Sequence, residues 1–243
     1  MIQFFNTILY QPLLNLLVFF YNIIPGHDLG VAIITLTVIL KLILLPLSRQ
    51  SLKSQKALQS LQPKMEEIKK KYSDQKEKQA KMTMELYKEN KINPFSSCLP
   101  LLIQLPILIA VYQVFRTGLT STNLPVYSFI YNPGQLNSFA FGFLNLAKPN
   151  VILALVTAVS QYFQTKMLTA TKVDSQIAKT PGAKDENMMT MMNKQMQFMM
   201  PIMTIFIGIS LPSGLMLYWF VNLLLTLLEQ KMIFSVKDKN IAK

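Results

Sequence analysis

Residues 30–47, GVAIITLTVILKLILLPL, form an apolar run of eighteen residues with one charge, Lys41, set inside it. Wound as an α-helix the run rises about 27 Å, close to the hydrocarbon thickness of a bilayer. A cation in such a span costs about 2.5–3.5 kcal/mol on insertion scales, so its presence asks for a reason. Ile34, Thr37 and Lys41 recur at i, i+3 and i+7 and share one face, with Ser48 one heptad beyond Lys41. A polar stripe on a membrane-length helix points to a protein that encloses something wet inside the bilayer.

The rest of the chain repeats that pattern of blocks. Of 243 residues, 51% are hydrophobic, and they fall in long runs separated by polar segments. This is the profile of a polytopic membrane protein. The net charge of +12 comes from 24 basic and 12 acidic residues. Most of the basic residues lie between the apolar blocks, where the positive-inside rule explains them better than nucleic-acid binding does. One cysteine, Cys98, excludes an internal disulfide, and one histidine, His27, leaves no zinc cluster. The N-terminal run lacks a basic n-region and an A-x-A pattern, so no cleavable signal peptide is expected.

Residues 2–24 are long enough to span but carry Asn6, Gln11, Pro12, Asn15 and Asn22. The expectation is an amphipathic helix on the outer face, with an extra span as the alternative. After the 30–47 span, residues 49–92 hold twelve basic and six acidic residues and are assigned to the cytoplasm. Leu58, Leu61, Met65, Ile68 and Tyr72 have helical spacing; Ser73-Asp74 supplies a turn and an N-cap. A second helix carries Ala80, Met84 and Tyr87 on one side, so the segment is a helical hairpin.

Four further spans are expected at 94–115, 150–167, 197–211 and 215–233, making five with 30–47. The first is kinked by Pro100 and Pro106 and carries Gln104, which either hydrogen-bonds a neighbouring helix or lines a polar cavity. Residues 117–148, with Lys148 as their one charge, form an external loop whose aromatics meet the interface. Residues 168–195 form a second cytoplasmic segment, broken by Pro181-Gly182 and ending in a methionine-rich stretch suited to adaptable apolar packing. Pro212-Ser213-Gly214 is a tight turn, and 234–243 is a short cytoplasmic tail. The N-terminus is placed outside and the C-terminus inside.

Acidic residues are absent between Asp28 and Glu66, between Glu89 and Asp174, and between Glu186 and Glu229. On that reading the spans hold no carboxylate to oppose Lys41, which is expected to be an unpaired cation. A proton-coupled transporter loses ground accordingly. No Walker A, G-x-S-x-G or H-E-x-x-H sequence occurs, so enzymatic chemistry and a cofactor are not expected. A device that handles other molecules without covalent chemistry fits best.

TLTVILKLILLPLSRQ, LQPKMEEIKKKY, LYKENKINPFSSCLPLLIQLPI and PSGLMLYWFVNLLLTLLEQ occur in this order. Together they resemble the YidC/Oxa family of membrane protein insertases over about residues 8–234. The segment 86–107 is the most specific, with Asn-Pro, Cys-Leu-Pro and Gln-x-Pro at fixed spacing. The match is to the family's conserved core, without a large external domain. The resemblance implies an all-α bundle of five transmembrane helices, a cytoplasmic helical hairpin and an N-terminal external amphipathic helix. It also implies a hydrophilic groove open to cytoplasm and lipid.

The family's intramembrane arginine falls on Lys41, the threonine one turn before it on Thr37, its groove glutamine on Gln104, and an aromatic substrate-contacting position on Trp219. Lys keeps the charge but lacks the planar fork of Arg, and it loses its proton more readily when desolvated. In the mechanism this implies, Lys41 and its stripe hold a substrate's hydrophilic tail. The substrate's apolar segment slides past Leu108, Ile207, Tyr218 and Trp219 into lipid. The expected partners are nascent membrane proteins and the bilayer of the bacterial inner membrane, with the Sec translocon and ribosome as further candidates. The alternative function is a channel or small-molecule transporter with Lys41 as an anion site.

Overall fold

A computed structural model describes residues 2–93, 99–169 and 197–235. The expectations for Cys98, for residues 170–195 and for the tail beyond 235 fall outside them.

The chain starts with α1 (Ile2–Phe5), a π-wound piece (Asn6–Tyr10) and α2 (Gln11–Ile23), which run on from one another. Next comes α3 (Leu29–Ser60), 32 residues long, capped by Asp28, whose side chain accepts from the Val31 amide. At about 48 Å it is far longer than a bilayer's apolar thickness. It therefore carries the 30–47 span through Pro46 and on into the basic segment without a break.

The chain then bends at Leu61 into α4 (Gln62–Lys71) and returns as α5 (Lys76–Glu89). This pair has its own small core of Leu61, Met65 and Leu86, with Ile68, Tyr87 and Ile92 packed on it. The Tyr87 hydroxyl donates to Met65 Sδ at 3.3 Å, and burial pushes its pKa above the ordinary tyrosine value. Two details differ from expectation. Ala80 and Met84 are exposed, because Leu86 is the residue of α5 that turns inward. Gln75, with no side-chain cap, precedes α5 where Asp74 was expected to cap it.

α6 (Leu99–Thr120) runs five residues past the expected end at 115. Its last turn is held from outside: Tyr10 Oη donates to Thr117 Oγ1, and the Leu136 amide to the Gly118 carbonyl. The loop that follows is folded, not loose. It contains a two-stranded antiparallel hairpin, β1 (Phe139–Ala140) and β2 (Leu144–Asn145), pairing Phe139 with Asn145 and Ala140 with Leu144. Ala140 lies so close to α3 that a Cβ on Gly30 would stand 2.5 Å from its Cβ, so only glycine fits at Gly30.

α7 (Val151–Thr169), α8 (Gln197–Gly208) and α9 (Ser213–Ser235) complete the bundle. Five helical stretches are long and apolar enough to cross a membrane: Gln3–Ile23, Leu29–Ser60, Leu102–Thr120, Val151–Leu168 and Ser213–Phe234. The set differs from the expected five by one exchange. The described part of α8 is a shorter apolar helix, ending at Gly208 instead of 211 because the chain turns there, with the Ser210 and Leu211 amides both donating to the Ile207 carbonyl.

The main core joins α2, α3, α6, the loop and α9, and it sits at the loop end of the bundle. On α3 the buried residues are Leu29, Gly30, Ala32, Ile33, Leu36 and Thr37, then none until Ser51 and Leu52. Among the α6 residues whose burial is described they are Ile107, Ala110, Val111, Val114, Phe115 and Gly118. On α9 every residue from Ser213 to Tyr218 is buried, and beyond that only Leu223, Glu229 and Gln230. The loop end is thus packed, while the half of α3 and α6 towards the α4–α5 hairpin is not.

Candidate functional site

α3 and α9 lie side by side with the same chain direction. Three contacts step along both: Lys41 to Thr226, Ser48 to Glu229, and Lys56 to the Ile233 carbonyl. Parallel helices in contact bring two polar stripes together, Thr37–Lys41–Ser48 on α3 and Asn222–Thr226–Glu229 on α9. The second stripe has spacings of four and three, one face of a helix.

Lys41 is not an unpaired cation. Its Nζ donates to Thr226 Oγ1 at 2.8 Å and stands 3.1 Å from Glu229 Oε2. The two side chains are 12% and 5% exposed. Thr226 Oγ1 in turn donates to the Asn222 carbonyl at 2.7 Å, and Ser48 Oγ donates to the same Glu229 oxygen at 2.6 Å. Glu229 falls inside the 215–233 span, so the expectation that no carboxylate opposes Lys41 is overturned. The physical reason is register: α9 packs beside α3 in the same chain direction, which brings Glu229 to the level of Lys41 and Ser48. The Asn222–Thr226–Glu229 periodicity was the signal that could have found it.

The other residues expected at the site divide between levels. Gln104 Nε2 donates to Tyr218 Oη at 3.0 Å, which makes it a link between α6 and α9. Leu108 packs against the core that contains Tyr218. Along α9, Tyr218 lies eight residues before Thr226, about 12 Å of rise. The structure therefore joins Gln104, Leu108 and Tyr218 at the edge of the packed core, and Lys41, Ser48, Thr226 and Glu229 one level nearer the hairpin. Thr37 is buried and donates to the Ile33 carbonyl, and Tyr218 is buried too. Ile207 on α8 and Trp219 on α9 are half-buried, and neither belongs to the core cluster.

Two buried polar groups beside this level also escaped sequence reading. Glu229 Oε1 and the whole Gln230 amide are buried without a hydrogen-bond partner among the described residues. Beyond them, accessible apolar side chains line both helices: Leu42 and Ile43 on α3, and Leu102, Leu105 and Ile109 on α6. Such side chains suit contact with apolar chain or lipid.

The profile of the family described as 60Kd inner membrane protein matches residues 19–240. A membrane protein insertase YidC of Geobacter metallireducens is 34% identical over 227 residues, covering 93% of this chain and 37% of the relative. One of Fusobacterium nucleatum is also 34% identical, over 231 residues, and there the match covers 93% of this chain and 97% of the relative. The chain spans well under half the length of the Geobacter relative and of a similar one from Pelobacter propionicus, 37% and 38% respectively. Among solved structures, a crystal structure of active YidC insertase with its first transmembrane domain resolved matches with a TM-score of 0.58 and 30% identity. That match covers 90% of this chain and 45% of the other.

Proposed function

The chain belongs to the 60Kd inner membrane protein family, and from that premise we propose that it is a membrane protein insertase, multi-pass in a bacterial inner membrane. The observation that carries the reading is the contrast in packing along α3. One end of the bundle is sealed by a core, and in the other half Lys41 meets its polar partners while Leu42, Ile43, Leu102 and Leu105 are exposed.

In this mechanism a substrate's hydrophilic tail enters from the hairpin side and reaches the level of Lys41, Ser48 and Thr226. Polar groups and water there lower the desolvation cost that otherwise blocks a polar chain in the bilayer. Its apolar segment slides along Leu108, Ile207 and Trp219 and the exposed faces of α3 and α6, then leaves into lipid. Removal of that segment from water drives the step, so no nucleotide is required. The basic α4–α5 hairpin faces the cytoplasm under the positive-inside rule, which puts the loop end outside.

The first helix lies across that outer end. From Tyr10 to Asn22, about 18 Å of helix, its hydrogen bonds to Thr117, Tyr127, Tyr131 and Asn137 run to the end of α6 and its loop. A helix crossing the bilayer would draw partners from both ends. Nascent membrane proteins are the partners this reading requires; the Sec translocon and the ribosome are candidates that the basic hairpin suits.

The test is photocrosslinking. A photoreactive residue at Gln104 or Trp219 should form adducts with a nascent membrane protein during its insertion into vesicles. Solute flux through proteoliposomes without any adducts would replace the insertase reading by the channel alternative.

A further inference from the structure

This inference rests on the reading of Lys41 as the cation that meets a substrate's tail. A carboxylate already occupies that cation. Glu229 Oε2 takes Lys41 Nζ at 3.1 Å and Ser48 Oγ at 2.6 Å, while its other oxygen is buried without a partner among the described residues. The chemistry an acidic side chain of a substrate would find at Lys41 is thus the chemistry Glu229 now uses.

We propose that Glu229 is a specificity-determining residue: it is a resident carboxylate that a substrate's acidic group must displace from Lys41, and it thereby sets how acidic a captured tail has to be. Three features make the pair exchangeable. Lysine offers a point charge on a flexible stem and engages one oxygen of Glu229, where an arginine fork would take two. Ser48 holds the same Glu229 oxygen from α3, so the carboxylate keeps a donor when Lys41 lets go. Thr226 holds Lys41 independently, so the ammonium stays in place as its anion changes. A second anion arriving beside Glu229 meets like-charge repulsion, so an acidic tail is captured only when its own attraction to Lys41 exceeds that of the resident carboxylate.

The experiment uses the full chain in proteoliposomes and two single-span substrates that differ only in a short tail, four Asp or four Asn. The readout is the ratio of their initial insertion rates. Glu229→Gln should raise the acidic-to-neutral ratio by roughly tenfold over the parent protein. Lys41→Met/Glu229→Gln should bring the ratio to about one, because no charge is left to select. Ser48→Ala, which leaves Glu229 with Lys41 as its remaining donor of the two, should lower the ratio and serves where Glu229→Gln folds poorly.

An unchanged ratio in Glu229→Gln, or equal loss for both tails together with a lower melting temperature, would make Glu229 a helix clamp and overturn the proposal. So would a Ser48→Ala ratio at or above that of the parent. Failure of the parent protein to insert either substrate above empty vesicles is a separate outcome, which removes the insertase reading and the inference with it.

Discussion

The two ends of the bundle are built on opposite principles. At the loop end, α2, α3, α6 and α9 share a continuous apolar core, and their hydrogen bonds run to a folded loop that covers it. Towards the hairpin the same α3 and α6 expose Leu42, Ile43, Leu102 and Leu105, and the group inside is a lysine–glutamate pair with two hydroxyls. Small residues explain part of the difference. Gly30 admits β1 against α3, and Gly208 admits α8 against Ala154 and Met216. The comparison teaches that a membrane protein can seal one end by packing and leave the other accessible without any change in its helices' course.

The largest test of the comparison strikes the sealed end. Phe115→Ala should cost about 3–5 kcal/mol in unfolding free energy, because a fully buried ring leaves a cavity that helices cannot close. Unfolding in mixed detergent measures it, and a loss below about 1 kcal/mol would deny that this end is packed. Lys41→Met should come next, at about 3 kcal/mol, since it strands Glu229 as a buried anion. Most of that loss should return in Lys41→Met/Glu229→Gln; a double variant as unstable as the single one would break the pairing argument.

Gly30→Ala should cost about 1–3 kcal/mol by pushing β1 off α3. Faster amide exchange at Phe141, whose N–H donates to Asp28 Oδ2, would report the displacement, and unchanged exchange would refute the close approach. The smallest effect belongs to the open half. Leu42→Ala, at a side chain 61% exposed, should stay within about 0.5 kcal/mol in the same unfolding assay. A loss as large as that of Phe115→Ala would abolish the distinction between the two halves.

How much of this was legible beforehand varies by residue. The membrane-length run at 30–47 was plain because eighteen apolar residues have few other fates. Gln104 left two readings, and its bond to Tyr218 supports the first, a link between helices. The inward side of α5 was misjudged, since a short amphipathic helix of mixed polarity has several weakly apolar faces and its partner selects among them. The folded loop could not be read either, because its two-residue strands depend on Gly30 and Asp28 of a distant helix.

By itself the sequence determined the helical membrane architecture, the basic hairpin and the costly cation at Lys41. These follow from run length, composition and period, which are local properties of a chain in water and lipid. Tertiary structure decided what stands opposite that cation. Lys41 and Glu229 are 188 residues apart, and they meet because α3 and α9 pack in one register. No local pattern carries that register; it is set by which faces of two helices bury each other.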